Sequence, residues 1–129
     1  MSTTGHTSDE LYELLAHRRD RRSCSPGEVI FSRGDSGDSL YVVLEGSVAL
    51  KDGDRVVETV TAPGMFGEMA IIETGARALT AEAAGPAVLA EIPTRHFWVL
   101  VHETPYFAQL VMTVMARRLR SASGLNSVS

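Results

Sequence analysis

With a single cysteine in 129 residues, the chain cannot form an internal disulfide. The lone thiol, Cys24, also excludes an all-cysteine metal or iron–sulfur centre within one chain. Positive charge is short as well. Twelve Lys and Arg stand against 16 Asp and Glu, a net charge of −4, which argues against nonspecific nucleic-acid binding. No apolar run approaches the roughly 20 residues of a membrane-spanning helix, and no secretory signal pattern opens the chain. A soluble, cytoplasmic protein with no membrane partner is expected. His6, His17, His96 and His102 fall in the tail and in helical segments, so no strand-borne cluster of metal ligands exists. No nucleophile stands beside a base, so no enzyme activity, catalytic residue or cofactor is expected. What remains is a chain with 44% hydrophobic residues, long enough for one globular domain with its own core.

The pattern changes twice along the chain. Residues 1–8 read as a flexible tail. Thr7 and Glu10 have capping-box spacing, and Leu11, Leu14 and Leu15 give the helix that follows an apolar stripe. The basic run His17 to Arg22 reads as the solvated end of that helix, or else as a contact for an acidic partner. Ser25-Pro26-Gly27 is a turn, and short strands follow: Val29–Phe31, Leu40–Leu44, Val48–Leu50, Val56–Thr61, Arg77–Ala83 and Ala87–Ile92. Asp52-Gly53 marks a hairpin, and Pro63-Gly64 turns the chain again. Many short strands at close spacing suggest an antiparallel barrel or jelly roll. At Pro93 the period becomes helical. Thr94 is the expected N-cap of one helix, and Thr104-Pro105 starts another. The second helix should end near Arg120, with Arg117, Arg118 and Arg120 placed to suit the negative end of its dipole. Residues 122–129 read as a flexible tail.

One stretch joins the strands to the helices and carries the chemistry: Phe66-Gly67-Glu68-Met69-Ala70 through Arg77-Ala78-Leu79-Thr80. A glycine turn feeds a short apolar helix, whose first N–H groups are free to meet an anion. Gly75 then breaks the chain, and Arg77 returns beside the turn with a fork of donors suited to phosphate. Glu68 is an acceptor and suits a hydroxyl. A ribose cyclic phosphate carries both groups close together.

This stretch closely resembles the phosphate-binding cassette of cyclic nucleotide-binding domains, F-G-E-[LM]-A-L, a short gap, then P-R-[AST]-A-T. Phe66 to Ala70 match the first half, and Arg77, Ala78 and Thr80 the second. Ala76 stands where the family usually has proline, and Leu79 where it usually has a small residue. Gly27 to Phe31, Gly37 to Tyr41 and Glu45-Gly46 are further matches. The resemblance implies a mainly β fold with flanking helices: an N-terminal helix, an eight-stranded antiparallel jelly-roll barrel holding the cassette, and two C-terminal helices. The domain would run over residues 9–121.

The resemblance also implies roles. Glu68 would accept a hydrogen bond from the ribose 2′-hydroxyl, and Arg77 would pair with the cyclic phosphate. Backbone N–H groups at Gly67, Met69 or Ala70, and Ala78 would complete the cradle. Phe66, Leu79 and Thr80 complete the expected ligand-binding set. Ala78 has no hydroxyl to reach a guanine, which favours cAMP over cGMP. Tyr106, Met115, Leu119 and Leu125 are candidates to cover the base, with Leu119 and Leu125 where the family's lid would fall. The expected function is a receptor module whose ligand moves the C-terminal helix, with an effector protein or a homodimer through that helix as partner. Relatives that bind DNA add a helix-turn-helix after the long helix, and this chain ends before one, so DNA binding by it is not expected. The alternative is a degenerate domain acting as a scaffold without nucleotide, in which Glu68 and Arg77 merely pair with each other.

Overall fold

The computed structural model describes residues 21–73 and 75–123, with side chains to residue 121. Eight strands and three helices follow in order. They are β1 (Arg21–Cys24), β2 (Val29–Phe31), β3 (Ser39–Glu45), β4 (Ser47–Asp52), β5 (Arg55–Thr61) and β6 (Gly64–Phe66). Then come α1 (Glu68–Glu73), β7 (Thr80–Ala83), β8 (Ala87–Pro93), α2 (Thr94–Glu103) and α3 (Pro105–Ser123). The strands form two antiparallel sheets, ordered β1-β8-β3-β6 and β2-β7-β4-β5. No ladder joins the sheets among the described residues, so the expected closed barrel is replaced by two open sheets.

Strand β3 shows why the molecule has two cores. All its residues but the last are buried, on both faces of the sheet. Successive side chains of a strand point to opposite faces. Tyr41 and Val43 therefore join Ile30, Val48, Leu50, Val60, Phe66 and Leu89 between the sheets. Leu40, Val42 and Leu44 face the other way, with Ala90 and Ile92 of β8, and meet Ile71, Phe97, Phe107 and Val111 of the helices. An unbroken apolar strand is what burial on both faces demands. Cys24 packs in the inter-sheet core, and burial raises its thiol above the ordinary range.

Several local expectations need correction. Arg21 and Arg22 are not a helix end but half of β1, because the chain pairs there with β8, Arg21 opposite Ala90 and Cys24 opposite Ala87. Gly64–Phe66 is a short strand on β3 and not only a turn. The strand expected from Arg77 begins at Thr80; before it, Ala76 makes a lone bridge with Ser36. The N-cap of α2 is Pro93, and the Thr94 hydroxyl instead donates to the Asp38 carbonyl at 2.8 Å. Helix α3 runs past Arg120 to Ser123. Residues 122 and 123, expected in the C-terminal tail over 122–129, are thus still helical; the proposed first helix, the expected tail over 1–8, Leu125 and the rest of the C-terminal tail lie outside the described residues. No helix of the described residues is long and apolar enough to cross a membrane.

Candidate ligand site

Gly67 sets the geometry. Its φ of +89° is in the left-handed region, and a Cβ there would come within 2.9 Å of Arg77 Nη1. A residue with a side chain would be strained and would also push on the arginine. From this turn α1 begins at Glu68, and the chain comes back through Gly75 to Arg77. A cavity forms between the turn, α1, the returning segment and α3. Gly67, Glu68, Met69, Ala70, Arg77, Ala78 and Leu79 all line it, with Phe31 and Leu50 behind and Arg118 from α3.

Arg77 is buried, with 5% of its surface exposed. Its Nη1 donates to the Gly67 carbonyl at 2.9 Å and its Nη2 to the Ser39 carbonyl at 2.6 Å. The guanidinium carbon lies 4.0 Å from the centroid of the Phe31 ring. No carboxylate pairs with it among the described residues, and its Nε is buried with no hydrogen-bond partner. Burial lowers its pKa from the ordinary arginine value, the loss of water outweighing the more distant carboxylates. Two of five donors are committed to backbone carbonyls, which position the group without neutralising it.

Glu68 is 1% exposed. It does not pair with Arg77, so the loop-tying ion pair of the alternative reading is absent among the described residues. Its Oε2 accepts instead from Arg118 Nη1 at 2.7 Å, and its Oε1 is buried with no partner. Arg118 is the site residue that sequence reasoning missed. It also donates through Nε and Nη2 to Glu58 at 2.9 and 3.2 Å, and through Nη2 to the Met65 carbonyl at 2.7 Å. Burial alone would lower its pKa, but the Glu58 hydrogen bond and the Glu68 charge raise it above the ordinary value. The two arginines thus differ in kind: Arg118 pairs with two carboxylates, whereas Arg77 pairs with none among the described residues.

The helical phase could have revealed Arg118. Phe107, Val111 and Val114 face the sheet from α3, at spacings of four and three. The next position on that stripe, four residues on, is Arg118. Leu119 lies about 100° further round the helix, and it is 70% exposed and does not line the cavity. Leu119 therefore stands off the cavity wall in this arrangement. Met115 packs against the helix-side core, and Tyr106, 39% exposed, sits in the first turn of α3. Neither lines the cavity. Phe66 is fully buried, stacked on Tyr41 at 5.2 Å, and supports the site from beneath. Thr80 Oγ1 accepts from the Arg33 N–H at 3.0 Å, so its hydroxyl ties β7 to the loop after β2.

A family described as Cyclic nucleotide-binding domain matches residues 21–104. The Cyclic AMP receptor protein of Thermus thermophilus is 33% identical over 118 residues, 88% of this chain and 55% of that protein. The cAMP-dependent protein kinase regulatory subunit of Yarrowia lipolytica is 36% identical over 87 residues, 66% of this chain and 23% of that protein. The crystal structure of the Thermus thermophilus Catabolite Activator Protein superposes with a TM-score of 0.76 at 28% identity, covering 94% of this chain and 58% of that one. The chain therefore spans about half or less of the length of these relatives.

Proposed function

The chain belongs to the cyclic nucleotide-binding domain family, and from that premise we propose that it is a regulatory module whose ligand is a cyclic nucleotide, cAMP ahead of cGMP. The observation that carries this reading is a pair of atoms. Glu68 Oε1 and Arg77 Nε are the two buried side-chain polar atoms left without a partner among the described residues. One is an acceptor and the other a donor, and both residues line one cavity. An unsatisfied buried polar group costs about 1–3 kcal/mol. A 2′-hydroxyl donating to Glu68 and a phosphate oxygen accepting from Arg77 would satisfy both. Arg77 has no paired carboxylate among the described residues, which suits a monoanionic phosphate. A scaffold role without nucleotide would leave both groups unexplained.

Further supports are less direct. Ala78 lines the cavity and offers no hydroxyl, which favours adenine over guanine. The strand pairs β1·β8, β2·β7, β3·β6 and β4·β5 nest within one another, which fits a jelly roll. The domain is taken as residues 9–121. Because Arg118 ties α3 to Glu68, a ligand that engages Glu68 acts on the same hydrogen-bond cluster that docks the helix. That link could shift α3 only if the ligand binds its docked and undocked states unequally.

Calorimetric titration with cAMP and cGMP is the direct test, and absence of binding by both would leave the scaffold reading. Glu68 gives a finer one. Hydrogen bonds to charged groups are worth about 1.5–3 kcal/mol, so wild type should prefer cAMP to 2′-deoxy-cAMP by about tenfold or more. In Glu68→Ala that preference should collapse towards parity. Equal affinity of wild type for the two ligands would show that Glu68 does not read the hydroxyl.

A further inference from the structure

Glu58 stands outside the cassette, on β5, the outer strand of its sheet. Its neighbours Val56 and Val57 are exposed, and its own side chain is 39% exposed. An ion pair at such a position contributes little to stability. Its geometry is nevertheless specific. The two carboxylate oxygens take the Nε and Nη2 edge of Arg118, at 2.9 and 3.2 Å. A two-point contact of this kind fixes the plane of a guanidinium as well as its place. With that edge held, Nη1 is directed at Glu68 Oε2 and Nη2 also reaches the Met65 carbonyl. The plane of Arg118 therefore decides which oxygen of Glu68 is occupied and which is left, and the one left is Oε1. Two carboxylates against one guanidinium leave this corner beside the cavity with one negative charge in excess. Such a corner accepts a hydroxyl proton and repels an anionic oxygen.

We propose that Glu58 is a positioning residue that sets the ligand's hydroxyl preference by orienting Arg118 and, through it, Glu68. The inference rests on the nucleotide reading above. Glu58 touches no part of the cavity itself. It acts from β5 across to α1 through a side chain of α3, so strand, cassette and helix meet in one guanidinium.

The test is the ratio of dissociation constants for 2′-deoxy-cAMP and cAMP, in the full chain. Glu58→Gln keeps the size of the side chain but replaces one acceptor with an amide donor, which cannot receive an Arg118 N–H. The ratio should fall by at least about threefold relative to wild type, with cAMP still bound. A merely stabilising role would weaken both ligands alike and leave the ratio in place. In an Arg118→Met background, measured in the cold, Glu58→Gln should no longer change the ratio, because the intermediary is gone. If wild type shows the preference and Glu58→Gln retains it, or shifts it equally with and without Arg118, this inference falls while the nucleotide reading stands. If wild type binds neither ligand, both fall together.

Discussion

Arg77→Ala is expected to reduce cAMP affinity by about 100-fold or more. The guanidinium is buried, has no paired carboxylate among the described residues, and has donors to spare after holding the Gly67 and Ser39 carbonyls. A cyclic phosphate would take at least two charge-assisted bonds from it, each worth about 1.5–3 kcal/mol, and about 1.4 kcal/mol is a factor of ten. The substitution also strands two carbonyls in the turn that shapes the site, so the melting temperature should fall as well. Arg77→Lys separates the two effects. An ammonium keeps the charge but lacks the planar fork that spans the two carbonyls, so it should recover only part of the affinity. Titration calorimetry of the three proteins, each checked for a folded circular dichroism spectrum, provides the measurement. An Arg77→Ala protein that is folded and binds cAMP as wild type does would place the phosphate elsewhere.

What could be read from the sequence follows from how local each signal is. The cassette was legible because a glycine that must adopt φ of +89°, a carboxylate and an arginine stand at fixed offsets in one short stretch. Strand β3 was legible because burial on both faces leaves an unbroken apolar run. Helix α3 was legible from proline at its first position and from its apolar stripe. Strand β1 was not, since Arg21-Arg22-Ser23-Cys24 has neither β-branched residues nor apolar alternation. It becomes a strand only because β8 offers it an edge, and that edge is more than 60 residues away in sequence. The partner of Glu68 was hidden for a similar reason. Arg117, Arg118 and Arg120 look equivalent as cations near the end of a helix, and only the helical phase relative to the sheet distinguishes the one that turns inward. Leu119 shows the same dependence on phase. Its apolar character suggested a lid, but its phase turns it to solvent, at 70% exposure.

The distinction between those arginines leads to the largest expected loss of stability. Arg118→Ala removes the hydrogen bonds that Glu68 Oε2 and the Met65 carbonyl accept. Glu58 is partly exposed and can turn to water, but Glu68 is 1% exposed and cannot. Breaking a buried pair from one side leaves an uncompensated charge, at about 3–5 kcal/mol. For a domain of this size that corresponds to a fall in melting temperature of about 10–20 °C. The opposite truncation should behave differently. Glu68→Ala leaves Arg118 with Glu58 and Met65, and it removes the unpartnered Oε1 together with the charge, so its effect on stability should be much smaller. The double variant Arg118→Ala/Glu68→Ala should therefore recover most of what Arg118→Ala loses, a non-additivity of about 2 kcal/mol or more. The last turns of α3 offer the chain a route of relief, because undocking them would let water reach Glu68. Amide hydrogen exchange in Arg118→Ala should accordingly speed up along residues 112–121 before it does so in β3 or β8. Thermal melts of the three variants decide the matter. If Arg118→Ala melts within about 2 °C of wild type, Glu68 does not depend on Arg118, and the docking of α3 must rest on its apolar contacts, Phe107 and Val111 with Leu110, Val114 and Met115 beside them.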